Sequence, residues 1–321
     1  MYASDPATVT GGASLGPRER AGASRIDDPF VRTVGNTPLV PLSRLASGGG
    51  FELYAKAEFL NPTGSVKDRT ALGIVRRALE RGDLGRERTL LDASSGNTAV
   101  AYAMLGARIG FPVEIVLPGN AHPERVARIL GYGARVVYTD PLEGTDGAQR
   151  EARRLAESDP GRYHYVDQYN NPANPGTHYA TTGPEIWRQS GGRVTHFVAG
   201  VGTGGTISGT SRYLKERSPT LRTVGVEPAG PLHGLEGLKH LATALRPSTY
   251  DERLVDATVR VETEDAEAMR RRLAAEEGLT VGASAAAAVV AALGVGAATP
   301  GAVVVTVLPD GGHSATGGGR T

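Results

Sequence analysis

From about residue 51 the chain alternates short β-rich runs with amphipathic stretches of helical period, and few architectures accept that order. The runs read as strand 51–58, helix 65–81, strand 89–91, helix 97–109, strand 113–117, helix 123–132, strand 135–138 and helix 146–158. Repeated βα units demand a mostly parallel sheet, because a parallel neighbour is reached only through a crossover. The stretch 169–176, with Asn171-Pro172 and Asn174-Pro175, reads as a loop that punctuates the chain near its middle. A second series then runs through helix 177–189, strand 194–198, a Gly-rich loop, a helix to residue 216, strand 223–226, helix 265–277, an Ala-rich helix 285–293 and strand 303–308. The pattern predicts an α/β protein of two lobes, each a mostly parallel sheet flanked by helices. Ligands of such sheets sit beyond the carboxyl ends of the strands, and the cleft between lobes is the expected site.

A chain of 321 residues, 40% hydrophobic, can bury one large core or two modest ones. Its net charge of +1 comes from 35 basic and 34 acidic side chains interspersed along the sequence. That leaves no polybasic face for nucleic acid or an anionic membrane, so a small molecule is the expected partner. The absence of cysteine excludes disulfides, Cys-ligated zinc and thiol catalysis; no metal is expected, and the composition fits a reducing, cytoplasmic setting. No apolar run approaches the ~18 residues of a membrane span. Residues 1–28 are rich in Gly, Ala, Ser, Pro and Arg without an apolar centre, and read as a disordered leader rather than a signal peptide.

Three motifs carry chemistry. Lys67, in Asn61-Pro62-Thr63-Gly64-Ser65-Val66-Lys67-Asp68-Arg69, opens a helix behind a Pro/Gly turn, where the helix dipole disfavours a cation. A lysine so placed can be neutral and nucleophilic, a trap for carbonyl groups, although most such lysines are solvated surface groups. Gly200-Val201-Gly202-Thr203-Gly204-Gly205-Thr206 follows an apolar strand and opens a helix, forming a cradle for a phosphate. The same residues satisfy Gly-x-Gly-x-x-Gly through Gly200, Gly202 and Gly205, with Glu227 where a dinucleotide's ribose-binding acid would sit. Ser94-Ser95-Gly96-Asn97-Thr98 lies between a strand and a helix and offers hydroxyls, an amide and backbone N–H groups to an anion the size of a carboxylate. Taken alone, an ordinary Ser/Asn helix cap is the simpler explanation there, and likewise at Ser284.

Together these motifs resemble the β-family, fold type II, pyridoxal phosphate enzymes, and among them the cysteine synthases (O-acetylserine sulfhydrylases). The resemblance runs from Gly35-Asn36-Thr37-Pro38-Leu39 to about Gly312 and includes "NPTGSVKDR", "SSGNT", "QYNNPANPGTHYATTGPEIW", "GVGTGGTISG" and "EEGLTVGAS" in the family's order. It implies that Lys67 carries pyridoxal 5′-phosphate as an internal aldimine and later acts as base, while Asn97 bonds the cofactor's 3′-oxygen. It further implies that Gly202, Thr203, Gly204, Gly205 and Thr206 hold the phosphate and Ser284 faces the pyridine nitrogen. Ser94, Ser95, Gly96, Asn97, Thr98 and Gln168 would take the substrate carboxylate. The implied reaction is β-replacement on O-acetylserine or O-phosphoserine, through an aminoacrylate, with sulfide or a thiocarboxylated sulfur-carrier protein giving L-cysteine. A homodimer is implied too, with residues 29–50 and 177–321 forming a large cofactor-binding lobe and 51–176 a small mobile lobe carrying the asparagine loop.

The sequence departs from the family pattern in places. Ser94 and Ala99 stand where threonine and glycine are usual, Ala285-Ala286 where Ser-Gly or Thr-Gly is usual, and His313-Ser314-Ala315 replaces an acidic-Arg-Tyr continuation. The alternatives are replacement by another nucleophile (diaminopropionate, ureidoserine or cyanoalanine type), a serine or threonine dehydratase, a nicotinamide dehydrogenase built on residues 200–205 and Glu227, and a cofactor-binding protein without turnover. Dehydratases usually carry Asn-His in the loop and Phe before the lysine, whereas here Thr98 follows Asn97 and Val66 precedes Lys67. A dehydrogenase leaves Lys67 and the 94–98 loop unexplained.

Overall fold

The computed structural model describes residues 26–312 and a two-residue strand, β1 (Thr8–Val9). The rest of the leader and the His313-Ser314-Ala315 segment lie outside the described residues. Two compact units divide the described chain: one holds Lys67–Asn174 with residues up to Gly35, the other Asn36–Val66 with residues from Pro175 onward.

In the second unit the antiparallel pair β2 (Leu39–Pro41) and β3 (Glu52–Ala57) flanks β11 (Val303–Leu308), followed by β8 (His196–Gly200), β9 (Arg222–Pro228) and β10 (Ala257–Val261), all parallel. In the first unit the order is β1, β6 (Arg135–Thr139), β5 (Val113–Pro118), β4 (Thr89–Ala93) and β7 (Tyr163–Tyr165), parallel except at β1. Every residue of β4, β5 and β11 is buried, which explains their unbroken apolar character: helices cover both faces of a parallel sheet. Residues 51–66, which the sequence grouping set with the small lobe, belong to the second unit because β3 pairs with β11 along its whole length.

The helices are α1 (Lys67–Glu80), α2 (Asn97–Ile109), α3 (Pro123–Gly131), α4 (Gly144–Ser158), α5 (Ala173–Ala180), α6 (Thr182–Gln189), α7 (Gly205–Arg217), α8 (Thr263–Arg272) and α9 (Ala283–Ala297). In the first unit α2 and α3 bury Tyr102, Leu105 and Ile129 against Leu90, Ile115 and Val136, while Ala148 and Ala152 of α4 cover Leu91, Val116 and Val137 on the opposite face. In the second, α9 packs on Val198, Val226, Val304 and Leu308, and α6 and α7 place Ile186, Ile207 and Leu214 over Phe197 and Val305. Ala285 and Ala286 are fully buried in that core, so the departure from a hydroxyl and a glycine is a packing feature of α9.

Three expectations need correction. The 169–176 loop is already helical from Ala173, the single helix 177–189 is broken at Thr181 into α5 and α6, and helix 265–277 is α8 followed by a π turn, Leu273–Glu277, that ends at Gly278 in the left-handed region. A π turn widens the helix by one residue, which periodicity does not register.

Candidate active site

The first unit assembles one half of the candidate residues at the starts of two helices. Lys67 is the first residue of α1 and Asn97 the first of α2. A relay of buried side chains ties these ends together: Thr70 Oγ1 donates to Asn174 Oδ1 (3.2 Å), Asn174 Nδ2 to the Gln168 carbonyl (2.9 Å), and Thr98 Oγ1 to Gln168 Oε1 (2.8 Å). The cap of α2 is Gly96, without a side-chain capping bond, so Ser94 and Ser95 are not ordinary caps of that helix. Ser94 Oγ instead accepts the Gly96 N–H (3.3 Å), curling the loop on itself. The first-turn N–H groups of a helix lack intrahelical acceptors and suit an anion.

Gln168 sits behind this loop. Its Nε2 donates to Asp92 Oδ2 and to the Ala93 carbonyl, both at 3.2 Å, and its Oε1 accepts Thr98. Gln168 thus ties Thr98 at the start of α2 to the end of β4. Asp92 is fully buried, and burial pushes its carboxyl up to about 8, which keeps it neutral at pH 7. Sequence reasoning did not single out Asp92, although an acid within an otherwise apolar strand was a signal for it.

The second unit holds the other half. Gly204, in the left-handed region at φ +83°, caps α7 without a side-chain bond. A Cβ on Gly204 would meet Tyr250 Cβ at 2.4 Å, and one on Gly202 would meet the Gly237 carbonyl at 2.2 Å. The loop is thus bare backbone pressed against its neighbours, with Thr203 Oγ1 accepting the Gly205 N–H (3.4 Å) and Thr206 in the first turn. Ser284 stands second in α9, whose cap is Gly282 with no side-chain bond, so the simple capping role does not describe it. Its Oγ lies 4.0 Å from where a Gly237 Cβ would be, so Gly237 is a near neighbour of both Gly202 and Ser284. A group with a phosphate at one end and a ring nitrogen at the other matches this donor set.

Ser65 pairs with Asp310, and the Val66 N–H donates to the Pro309 carbonyl (2.7 Å), which fixes the backbone just before Lys67. The chain has four lysines. Lys56 is fully buried against Glu185 Oε2 (2.7 Å), and Lys215 binds Asp256 Oδ2 (2.6 Å); both ammonium groups are committed to carboxylates. Glu227, the acid of the dinucleotide alternative, is buried with Oε2 accepting the Leu241 N–H (3.3 Å), which engages it away from a ribose role.

A family model described as pyridoxal-phosphate dependent enzyme matches residues 31–310. The chain is 48% identical over 293 residues to a cysteine synthase of Aquifex aeolicus, covering 89% of this chain and 90% of the relative. It is 43% identical to cysteine synthase B of Salmonella typhimurium, covering 87% and 91% respectively. Among solved structures, a cysteine synthase of Entamoeba histolytica superposes with a TM-score of 0.84 at 30% identity, covering 94% of this chain and 90% of that one.

Proposed function

The chain belongs to the pyridoxal-phosphate dependent enzymes, and from that premise we propose a role for each group of residues in the site. The cofactor is pyridoxal 5′-phosphate, and the reaction is a β-replacement on an activated L-serine that yields L-cysteine. In our reading Lys67 binds the cofactor's carbonyl carbon, Asn97 its 3′-oxygen, residues 202–206 its phosphate, and Ser284 its ring nitrogen. The observation that carries this assignment is the set of helix starts at α2, α7 and α9, each capped by glycine with no side-chain capping bond and each with serine or threonine hydroxyls beside its first turn.

When bound, pyridoxal phosphate supplies the electron sink that acidifies the substrate's α-proton and releases its β-substituent. The protein supplies the rest. Lys67 Nζ takes the proton from the substrate Cα. The neutral hydroxyl of Ser284 accepts or donates at the ring nitrogen without forcing it to be cationic, which favours loss of the β-group over transamination. Ser94, Ser95, Gly96, Asn97 and Thr98 orient the carboxylate, and Gln168 acts on that seat by bracing Thr98. We take O-acetylserine or O-phosphoserine as substrate, sulfide or a thiocarboxylated carrier protein as sulfur donor, and a cytoplasmic homodimer as the working form. Among the described residues no helix is long and apolar enough to cross a membrane.

The reading is tested by giving purified yellow protein O-acetylserine or O-phosphoserine, each with and without sulfide. Cysteine formed only with sulfide is expected. Pyruvate as the main product, with sulfide without effect, would replace this reading with a dehydratase.

A further inference from the structure

We propose that Asp92 is a positioning residue for the seat of the substrate carboxylate. One oxygen of its buried side chain holds Gln168, and with it Thr98, the other meets Tyr102 one turn further along α2, and the seat takes an anion only while Asp92 carries its proton. The inference rests on the reading that residues 94–98 bind the substrate carboxylate.

Asp92 belongs to β4, two positions before Ser94, and both it and Tyr102 are fully buried. Asp92 Oδ2 accepts from Gln168 Nε2 (3.2 Å) and Gln168 Oε1 accepts from Thr98 Oγ1 (2.8 Å), so a single amide separates the carboxyl from the first turn of α2. Tyr102 follows Thr98 by one helical turn, on the same face of α2. Its hydroxyl interacts with the Asp92 carboxyl. Among the described residues neither Tyr102 Oη nor Asp92 Oδ1 has a well-formed hydrogen bond, which leaves the two buried oxygens to one another.

A protonated Asp92 suits both neighbours: Oδ1–H can donate to Tyr102 Oη while Oδ2 accepts from Gln168. An ionised Asp92 would set a second negative charge behind a helix start whose N–H groups and dipole serve the substrate's own carboxylate. Its surroundings keep the proton on. Burial is the main cause, the charge of Asp167 adds to it, and Tyr102 acts weakly the other way. Asp167 lies in the turn after β7, with its backbone in the left-handed region at φ +42°. The remaining ionisable groups of this cluster are Tyr165 of β7 and Tyr169, whose phenols burial pushes up; Asp146 of α4 acts on Tyr169, and Arg153 of α4 lies 3.9 Å from Asp167. By linkage, a carboxylate in the seat and loss of the Asp92 proton oppose each other.

The test titrates holoenzyme with L-serine, which carries the same carboxylate but a poor leaving group, and reads binding from the visible spectrum of the cofactor across the neutral and alkaline range. Dividing the wild-type dissociation constant by that of D92N cancels every titration the two proteins share. The ratio should be flat below about pH 7 and climb toward about tenfold at about pH 9, one unit above the point where Asp92 titrates. Y102F removes a group that favours the anion and should move the climb to higher pH. D167N removes a repelling charge, suits a left-handed backbone, and should move it to lower pH. A merely structural Asp92 would produce neither shift. Parallel profiles for wild type and D92N, or shifts of Y102F and D167N in the same direction, would overturn the proposal; those two variants are compared with wild type directly and decide it even where D92N does not fold. If T98V leaves L-serine affinity unchanged, the seat reading falls and the proposal with it. If T98V weakens binding while the ratio stays flat, the proposal alone falls.

Discussion

Lys67 and Asn97 are legible from sequence because each announces itself within a few residues: a Pro/Gly turn before one, a Ser-Ser-Gly run before the other. Their supports are not. Gln168 lies 70 residues from Thr98 and 76 from Asp92, so only the fold brings these groups together. The Thr98–Gln168 bond supplies a residue-scale prediction. Thr98→Val keeps the shape and removes the donor, leaving a buried Gln168 oxygen unpaired at a cost of about 1–3 kcal/mol. Thr98 seats the substrate and does not hold the cofactor in this account. KM for the amino-acid substrate should therefore rise about tenfold while the yellow colour of the protein stays at its wild-type intensity. Steady-state kinetics beside a visible spectrum separate the two; equal loss of colour and affinity would move Thr98 into the cofactor site.

At the scale of elements, the strands the sequence reveals and those it hides differ in position. The interior strands β3, β4, β5, β6, β8, β9 and β11 are built round buried apolar residues, and each falls close to its expected place. The strands that went unrecognised, β1, β2, β7 and β10, are the four sheet edges. An edge strand is short or half-solvated and need not be apolar: β7 has three residues, β2 ends in Pro41, and β10 is exposed over most of its length. The loop read at 169–176 hid the start of α5 for a related reason, since Asn-Pro steps that punctuate a chain can also open a helix. The α5–α7 contact gives the prediction at this scale. Gly209→Ala forces a Cβ onto the Pro175 carbonyl, which no side-chain rotation relieves, and should destabilise the second unit by about 3 kcal/mol. Urea unfolding would measure the loss, and an unchanged midpoint would mean that the helices are not held at this distance.

For the whole molecule, the two-lobed α/β architecture follows from alternation, but the assignment of residues 51–66 does not, because β3 pairs with a strand from the far end of the chain. Global stability also carries the signature of Asp92. Its folded carboxyl titrates at about 8 against an ordinary 3.8, mainly because it is buried, with the nearby Asp167 charge acting in the same direction. Between those values the unfolded chain releases the proton and the folded chain keeps it, so the contribution of Asp92 to stability falls as pH rises through this window and is lowest above 8. Asp92→Asn removes the titration and keeps an acceptor for Gln168. From about pH 5 to about pH 8 the variant should gain on wild type by up to about 1 kcal/mol per pH unit, read from urea midpoints; parallel pH profiles would mean that Asp92 is ionised in the folded protein. The central claim is that Lys67, of the four lysines, carries the cofactor. Borohydride reduction of the yellow protein, followed by proteolysis and mass spectrometry, tests it most directly: the account predicts a pyridoxyl group on Lys67, and a label on Lys56, Lys215 or Lys239, or on no lysine, would contradict it.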